Sequence, residues 1–224
     1  MIRSAARAAL STFPPALAAA KAAREQVRLL RWRMSRPAYP ADRVLRVHLG
    51  CGDIDYPGFV NIDARPAAHI HYVQGIDRLP QFADNSASLI YVSHCLEHVP
   101  HRFVGPVMAE WYRVLAPGGV VRVSVPDFDQ LVDIYLNNER DMLSVLQPLM
   151  GGQDYAFNFH YTAFNAADLS RQFVEVGFVD PRHWQFGSEM YTSLPDWSGR
   201  SISYNGKSYR VSLNLEASKP PLTA

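Results

Sequence analysis

The stretch VHLGCGDIDYPGFVNID, residues 47–63, decides the fold of this chain. A short apolar run leads into Gly50 and Gly52, and a second apolar run ends at Asp63. Glycines let the backbone turn sharply after a strand and approach a ligand closely. Ligands of open α/β sheets sit beyond the carboxyl ends of the strands, where Asp63 is placed to accept hydrogen bonds from a ribose diol. The stretch therefore predicts a site for a nucleoside-type ligand, with a purely structural turn as the alternative.

The same loop argues against a pyrophosphate. A dinucleotide fingerprint requires a third glycine, a helix that opens directly after the loop, and an acidic residue about 20 positions further on. Here the third glycine is missing, the connecting segment is too short for a helix, and Asp63 follows Gly50 by 13 positions. Asp53 and Asp55 lie where a pyrophosphate would sit and would repel it. An adenosine-type ligand without phosphate fits better, and S-adenosylmethionine is such a ligand.

The remaining chain alternates between strand and helix patterns. Its 224 residues suit one domain with a terminal appendage, and no apolar run approaches the ~20 residues that span a bilayer. Short apolar strands separated by helices imply a parallel sheet covered on both faces. The predicted strands are Val44–Leu49, Phe59–Ile62, His69–Val73, Leu89–Ser93, Val120–Val125, His183–Phe186 and Tyr209–Ala217. The predicted helices are Ala16–Met34, His101–Ala116, Asp127–Met150 and Ala166–Val176.

Five segments in order resemble the class I S-adenosylmethionine-dependent methyltransferases, and in particular their small predicted members of the Methyltransf_11 type. The segments are VHLGCG, VNID, LPQFADNSASLIYVSHCLEHV, EWYRVLAPGGVVRVSVPD and FHYTAFNAADLSRQFVEVGF, which together span about Val44 to Phe178. The resemblance implies an α/β fold: a Rossmann-like, doubly wound, seven-stranded sheet, mostly parallel with an antiparallel last strand, in the order 3-2-1-4-5-7-6.

The resemblance also implies an enzyme, an S-adenosylmethionine-dependent methyltransferase that acts on a small molecule. Such small methyltransferases are often associated with saccharide and cell-envelope biosynthesis, so a hydroxyl of such a precursor is the first expectation for the acceptor. Two other classes stay open. One is a non-catalytic adenosine-cofactor-binding protein with a regulatory or assembly role, and the other is an NAD-type oxidoreductase.

Cofactor contacts carry over from the family position by position. Gly50, Cys51 and Gly52 would pass the methionine moiety, and Asp63 would hold the ribose hydroxyls. The other implied contacts are Ile62 and Ala64 beside the nucleoside, Ile76 or Asp77 (with Gly75 as a further candidate) near the adenine, and Ser93 and His94 at the methionine end. Asp77 lies two residues before Leu79, where the family pattern has about four, so the adenine contact is the least defined of these.

His94 and His160 are the candidate catalytic residues. Methyl transfer from a sulfonium requires alignment and, for a hydroxyl acceptor, a base, and histidine is the commonest base near neutral pH. A hydrogen-bonded structural role is the alternative for each, and His48 in the first strand is expected to be buried in the core. His94 and His98 would share a helical face beside Glu97, but no third ligand is indicated. We therefore expect no metal.

Three further expectations concern single features. Cys51 and Cys95 follow neighbouring strands and should line one cleft, with a redox role as the alternative. Trp197 is expected to pack in the core, although a loop at this place in the fold can reach over the acceptor. Asn205-Gly206 predicts a hairpin turn in the tail.

The N-terminal region is distinct in charge. Residues 1–43 carry nine basic and two acidic residues, a net charge of +7, whereas the whole chain carries +1. We predict a basic, partly helical arm over residues 1–40 and a methyltransferase domain over 41–224. The arm would lie on an anionic membrane surface, pack on the body or a second subunit, or extend into solvent. No nucleic-acid partner is expected, and two cysteines make a reducing, cytoplasmic location the default, with a peripheral position at the inner face of a membrane as its extension.

Overall fold

A computed structural model describes residues 15–34 and 37–222 of the chain. The five α-helices in this part are α1 (Pro15–Met34), α2 (His101–Val114), α3 (Phe128–Asn137), α4 (Leu143–Met150) and α5 (Ala166–Val176). The nine strands are β1 (Arg46–Leu49), β2 (Val60–Asp63), β3 (Tyr72–Val73), β4 (Ala87–Ser93), β5 (Leu115–Pro126), β6 (Val179–His183), β7 (Ser201–Tyr204), β8 (Lys207–Arg210) and β9 (Ser212–Ser218). Short 3₁₀-helices cover Leu96–His98 and Trp197–Gly199.

Seven strands form one sheet in the order β3-β2-β1-β4-β5-β9-β6. The pairs among β1 to β5 are parallel, and β9, the last strand of the chain, runs antiparallel to both β5 and β6. This arrangement confirms the predicted α/β class, the doubly wound seven-stranded sheet and its strand order. Because β1 and β4 are the central neighbours, their carboxyl ends meet at the middle of the sheet edge, where ligands bind in such folds.

The core lies on both faces of the central strands. Val47 and Leu49 of β1 and Ile90 and Val92 of β4 are fully buried, and Trp111 of α2 is fully buried against the same apolar cluster. Near-continuous apolar strands are typical of parallel sheets whose two faces are covered by helices. His48 is also buried, between the rings of Phe59 and Tyr91, as the sequence predicted.

Three predicted elements differ from the structure. The single helix predicted over Asp127–Met150 is two helices, because Glu139 and Arg140 adopt positive φ angles of 53° and 61° that an α-helix cannot contain. The strand predicted over Tyr209–Ala217 divides at Val211. Its first part pairs with β7 in a hairpin turned at Asn205-Gly206, as predicted, and its second part enters the main sheet. The strand predicted at His183–Phe186 lies earlier, at Val179–His183.

Helix α1 confirms the predicted helix and contacts the body of the protein. The indole nitrogen of Trp32 donates to the carbonyl oxygen of Ile70 at 2.7 Å. Arg28 lies 3.4 Å from Asp53 in the glycine loop, and both side chains are exposed. Residues 1–14 and 35–36 of the predicted arm lie outside the described part, and the domain boundary near residue 40 stays a prediction. No helix among the described residues combines the length and the apolar content that a bilayer crossing demands.

Candidate functional site

One large cleft opens at the carboxyl ends of β1, β2 and β4. Its volume is about 1270 Å³, above the roughly 300–1,000 Å³ of a site for one small ligand. The glycine loop and Asp63 lie at one end, and Glu97, His98 and His160 line another part of its wall. The cleft therefore has room for a nucleoside cofactor together with an acceptor.

The glycine loop is held by β2. The backbone nitrogens of Gly50 and Cys51 donate to the carbonyl oxygen of Ile62 at 2.8 and 3.2 Å. Gly50 has a φ of +64°, and a Cβ at this position would overlap the sulfur of Cys95. Gly52 also has a positive φ, but a Cβ there would make only an ordinary contact with the guanidinium of Arg65, at 3.9 Å. Gly50 is therefore required for both conformation and packing, and Gly52 for conformation.

Asp63 is the charged group at the nucleoside end. One carboxylate oxygen accepts from the backbone nitrogen of Gly52 and the other from that of Arg65, each at 2.8 Å. A carboxylate offers about four acceptor positions, so each oxygen keeps one for a further donor. The two hydroxyls of a ribose match this remaining capacity, and the segment between β1 and β2 contains no helix that could receive a pyrophosphate. These free acceptor positions thus fit the ribose of S-adenosylmethionine.

The other predicted cofactor contacts are placed as follows. Cys51, Ala64, Ile76, Asp77, Ser93 and His94 line the same cleft as the two glycines and Asp63. Ile62 does not line it: its side chain is fully buried in the apolar core, since successive residues of a strand point to opposite faces. Ile62 contributes instead through its carbonyl oxygen, which holds the glycine loop.

Three imidazoles surround the buried carboxylate of Glu97. The Nδ1 atom of His94 lies 3.3 Å from Oε1 of Glu97, and Nε2 of His160 lies 3.9 Å from it. His98 packs edge-to-face on His160 with ring centres 4.8 Å apart. The sequence paired His94 with His98 around Glu97 and indicated no third ligand; the fold brings His160, from a segment about 60 residues away, to Glu97 and His98. His94 is separated from His98 by a 3₁₀-helix rather than sharing a face of an α-helix with it.

Burial and the neighbouring imidazole rings shift the pKa values of Glu97 and His160 in this cluster. Burial alone would raise the pKa of Glu97, but His94 first, then His98 and His160, counteract it and hold the pKa below its usual value. Burial lowers the pKa of His160, which keeps its imidazole neutral near pH 7. The cluster therefore combines an ionised carboxylate with a neutral imidazole that can accept a proton.

The two cysteines line the cleft as expected. Burial raises the pKa of both Cys51 and Cys95 well above the usual thiol range. Thiols that stay protonated are poor nucleophiles and are slow to oxidise. This supports the interpretation of two small residues that shape the cleft over a redox role.

The sequence missed several residues at the cleft mouth. The expectation that Trp197 packs in the core is wrong: 47% of it is exposed, it lines the cleft, and the guanidinium of Arg200 lies 4.4 Å from its ring centre. On the other side, Arg65 lies over the ring of Tyr155 at 5.0 Å. Trp197 and Arg200 belong to the loop that the sequence placed near the acceptor, whereas Arg65 and Tyr155 come from segments far apart in the chain, and their pairing had no local signal.

Comparison with known proteins agrees with this geometry. Residues 56–123 match the model of a methyltransferase domain family, Methyltransf_11. No curated protein matches the chain. A putative methyltransferase solved with the Trm112 methyltransferase activator of Haloferax volcanii is 15% identical, with a TM-score of 0.50 over 88% of this chain and 91% of its own.

Two further solved structures share the fold. A SAM-dependent methyltransferase from Archaeoglobus fulgidus is 14% identical, with a TM-score of 0.50 over 86% of this chain and 92% of its own. One from Methanosarcina mazei is 13% identical, with a TM-score of 0.51 over 82% of this chain and 96% of its own. The family match over residues 56–123 shows a methyltransferase domain in this part of the chain, and the strand order is that of the class I S-adenosylmethionine-dependent methyltransferase fold. The cofactor of the chain is S-adenosylmethionine.

Proposed function

We propose that the protein methylates a hydroxyl group of a small polar molecule, with a saccharide or cell-envelope precursor as the first candidate. One observation carries the proposal: a single cleft joins the ribose-type site at Asp63 to a cluster of imidazoles and a carboxylate at Glu97. Bound S-adenosylmethionine supplies an electrophilic methyl group. The protein has to align the acceptor oxygen with that group and to receive the proton that the hydroxyl loses.

The cofactor roles proposed for this chain follow from position in the cleft. Gly50, Cys51 and Gly52 would contact the methionine portion, Asp63 the ribose, and Ala64 one face of the nucleoside. Ile76 and Asp77 would lie at the adenine end, and Ser93 and His94 at the end that faces the acceptor. Their shared location on one cleft wall supports this assignment.

Proton removal is proposed for the imidazoles around Glu97. The ring of His160 donates from Nδ1 to the carbonyl oxygen of Pro148, since a carbonyl only accepts, and this leaves the lone pair on Nε2. His94 lies beside Ser212 and Glu97, and its ring lines the cleft. Either imidazole would take the hydroxyl proton as the bond from the acceptor oxygen to the methyl carbon forms and the carbon–sulfur bond breaks.

The cleft mouth supports a polar, ring-shaped acceptor. Trp197 and Tyr155 present aromatic surfaces next to the guanidiniums of Arg200 and Arg65. Aromatic faces beside hydrogen-bond donors suit molecules that have both an apolar ring face and polar edges, as sugars do. A screen of saccharide and non-saccharide hydroxyl acceptors, read out by S-adenosylhomocysteine release, tests this choice of substrate class.

Calorimetry with S-adenosylhomocysteine tests the cofactor site. A hydrogen bond to an ionised group contributes roughly 1.5–3 kcal/mol, so we expect Asp63→Ala to bind about 10- to 100-fold more weakly than the wild type. Asp53→Ala is the matched control, because Asp53 lies in the same loop but 77% of its side chain is exposed. Equal binding by the wild type and Asp63→Ala would refute the ribose assignment. Tight NAD binding without S-adenosylhomocysteine binding would refute the cofactor itself.

A further inference from the structure

The acceptor half of the cleft contains three side chains that offer lone pairs to one point. Glu97, His98 and His160 each place one potential ligand atom within 4.8 Å of the other two. Ligands held 2.0–2.1 Å from one ion in a tetrahedral site are about 3.3 Å apart, so small side-chain rotations would close this set around an ion. All three line the cleft that also contains the proposed cofactor site.

Both histidines are fixed in the tautomer that a metal requires. Nδ1 of His98 lies 3.0 Å from the carbonyl oxygen of Phe159, and Nδ1 of His160 lies 3.0 Å from that of Pro148. A carbonyl oxygen cannot donate, so each Nδ1 carries the hydrogen and each Nε2 is left with a lone pair. Histidines that bind metals have this same arrangement, because the outer hydrogen bond orients the ring and raises its basicity.

The carboxylate of Glu97, between the two histidines, lacks a hydrogen-bond donor among the described residues. Glu97 is 1% exposed, and neither of its oxygens accepts a hydrogen bond from any residue in the described part of the chain. Nδ1 of His94 is near Oε1, but without the alignment of a hydrogen bond. Burying an ionised carboxylate is costly unless it is paired or coordinates a cation. The Nε2 atoms of His98 and His160 do not donate to this carboxylate, since in these tautomers each offers a lone pair.

We propose that Glu97, His98 and His160 form a binding site for one divalent transition-metal ion, with zinc as the first candidate. Two histidines and one carboxylate suit Zn²⁺, Mn²⁺ or Fe²⁺, and a set of three protein ligands leaves a coordination position open. All three ligands line the cleft through which an acceptor would approach.

The ion would act on the acceptor hydroxyl, a role that rests on the proposed function. A divalent ion lowers the pKa of a coordinated water to about 7, and a coordinated alcohol is acidified in the same way. The hydroxyl oxygen would bind the ion and lose its proton, and the resulting alkoxide would be the methyl acceptor. His160 then holds the ion, and His94, outside the ligand set, remains to receive the proton.

Metal titration of the tag-free protein tests the site directly. After removal of metals with a chelator, Zn²⁺ is titrated in competition with a chromophoric chelator, and Co²⁺ is added separately to follow its visible absorption. We expect one equivalent of each ion to bind the wild type. His98→Ala and His160→Ala should each weaken Zn²⁺ binding at least 100-fold. The control His101→Ala removes an exposed histidine three positions away and should leave binding unchanged.

Glu97→Gln gives a second arm, since it removes the charge and keeps the shape. If it fails to fold, the two alanine variants still decide the question, with their folding checked by circular dichroism. No stoichiometric ion on the wild type, or wild-type affinity in both alanine variants, would overturn the metal site. S-adenosylhomocysteine is titrated into the metal-free protein in parallel. If the metal-free protein binds S-adenosylhomocysteine but the protein binds no metal, only the metal proposal is refuted. If the protein binds a metal but not S-adenosylhomocysteine, only the proposed function is refuted.

Discussion

At the scale of single residues, burial controls the chemistry of His48. Its ring is 1% exposed in β1, and Nδ1 has no hydrogen-bond partner in the described part of the chain. Burial lowers its pKa to about 4, because the charged form would lose its hydration. Between this value and the ~6.5 of an unfolded histidine, the unfolded chain binds more protons than the native one. Stability from His48 is therefore present above pH 6.5 and is lost as the pH falls towards 4.

The His48→Phe variant tests this linkage. The aromatic shape is kept between Phe59 and Tyr91, but the titrating group is gone. For the wild type, His48 should account for a loss of about 2 kcal/mol in the free energy of unfolding between pH 7 and pH 5. Urea unfolding at both pH values should show a loss smaller by about that amount in the variant. The exposed-residue control His101→Gln should behave as the wild type. An equal loss in His48→Phe and the wild type would contradict the argument.

At the scale of elements, a buried ion network ties β5 to β9 and β6. Glu216 of β9 accepts from Nε of Arg122 of β5 at 2.6 Å and lies 2.5 Å from Nη2 of Arg182 of β6. Arg122 and Glu216 are both buried, and Arg122 also contacts Glu189 and the carbonyl oxygen of Met190. This network joins the antiparallel strand β9 to the parallel part of the sheet.

Removing the charge of Glu216 should destabilise this edge of the sheet. Glu216→Gln leaves the buried guanidinium of Arg122 without its inner partner, and breaking a buried pair costs about 3 kcal/mol. The matched control is Glu175→Gln, whose partner Arg171 is 3.7 Å away and whose side chain is 67% exposed. That control should cost at most about 0.5 kcal/mol. Denaturant unfolding compares the two, and equal effects would show that burial of the pair does not matter.

At the scale of the whole molecule, α1 contacts the glycine loop. Trp32 anchors the helix to the body, and Arg28 reaches Asp53. Outward, the helix exposes Val27, Leu30 and Met34 among arginines. A helix with exposed apolar residues and basic charge binds anionic lipid surfaces, so peripheral membrane attachment is a proposal that this face supports.

Liposome flotation measures this attachment. We expect the full-length protein to float with vesicles that contain anionic lipid and not with neutral vesicles. The double variant Leu30→Glu, Met34→Glu keeps Trp32 and should no longer float, because two carboxylates oppose both apolar insertion and the lipid charge. Deletion of residues 1–40 should have the same effect. Unchanged flotation of the variants, or no flotation of any form, would refute the membrane role.

Local patterns were sufficient for much of the architecture. The glycine pair before Asp63, the apolar strands and the alternation with helices predicted the sheet and its ligand edge, and the family resemblance implied the strand order. The proposed cofactor end could also be predicted from the sequence. Gly50 and Gly52 follow β1, Asp63 ends β2, and only a short loop joins these two neighbouring strands. The helix break after Asn137 was missed, since positive φ angles at Glu139 and Arg140 carry no clear local signal.

By itself, then, the sequence determined the class of fold, and it predicted a nucleoside site at Gly50, Gly52 and Asp63, since both depend on spacing within short segments. Only the tertiary structure decided the acceptor end. It brought His160 next to Glu97 and His98, placed Trp197 at the mouth rather than in the core, and turned Ile62 away from the cleft. These outcomes depend on the direction of each side chain and on contacts between residues far apart in the chain. Such contacts exist only once the core has packed.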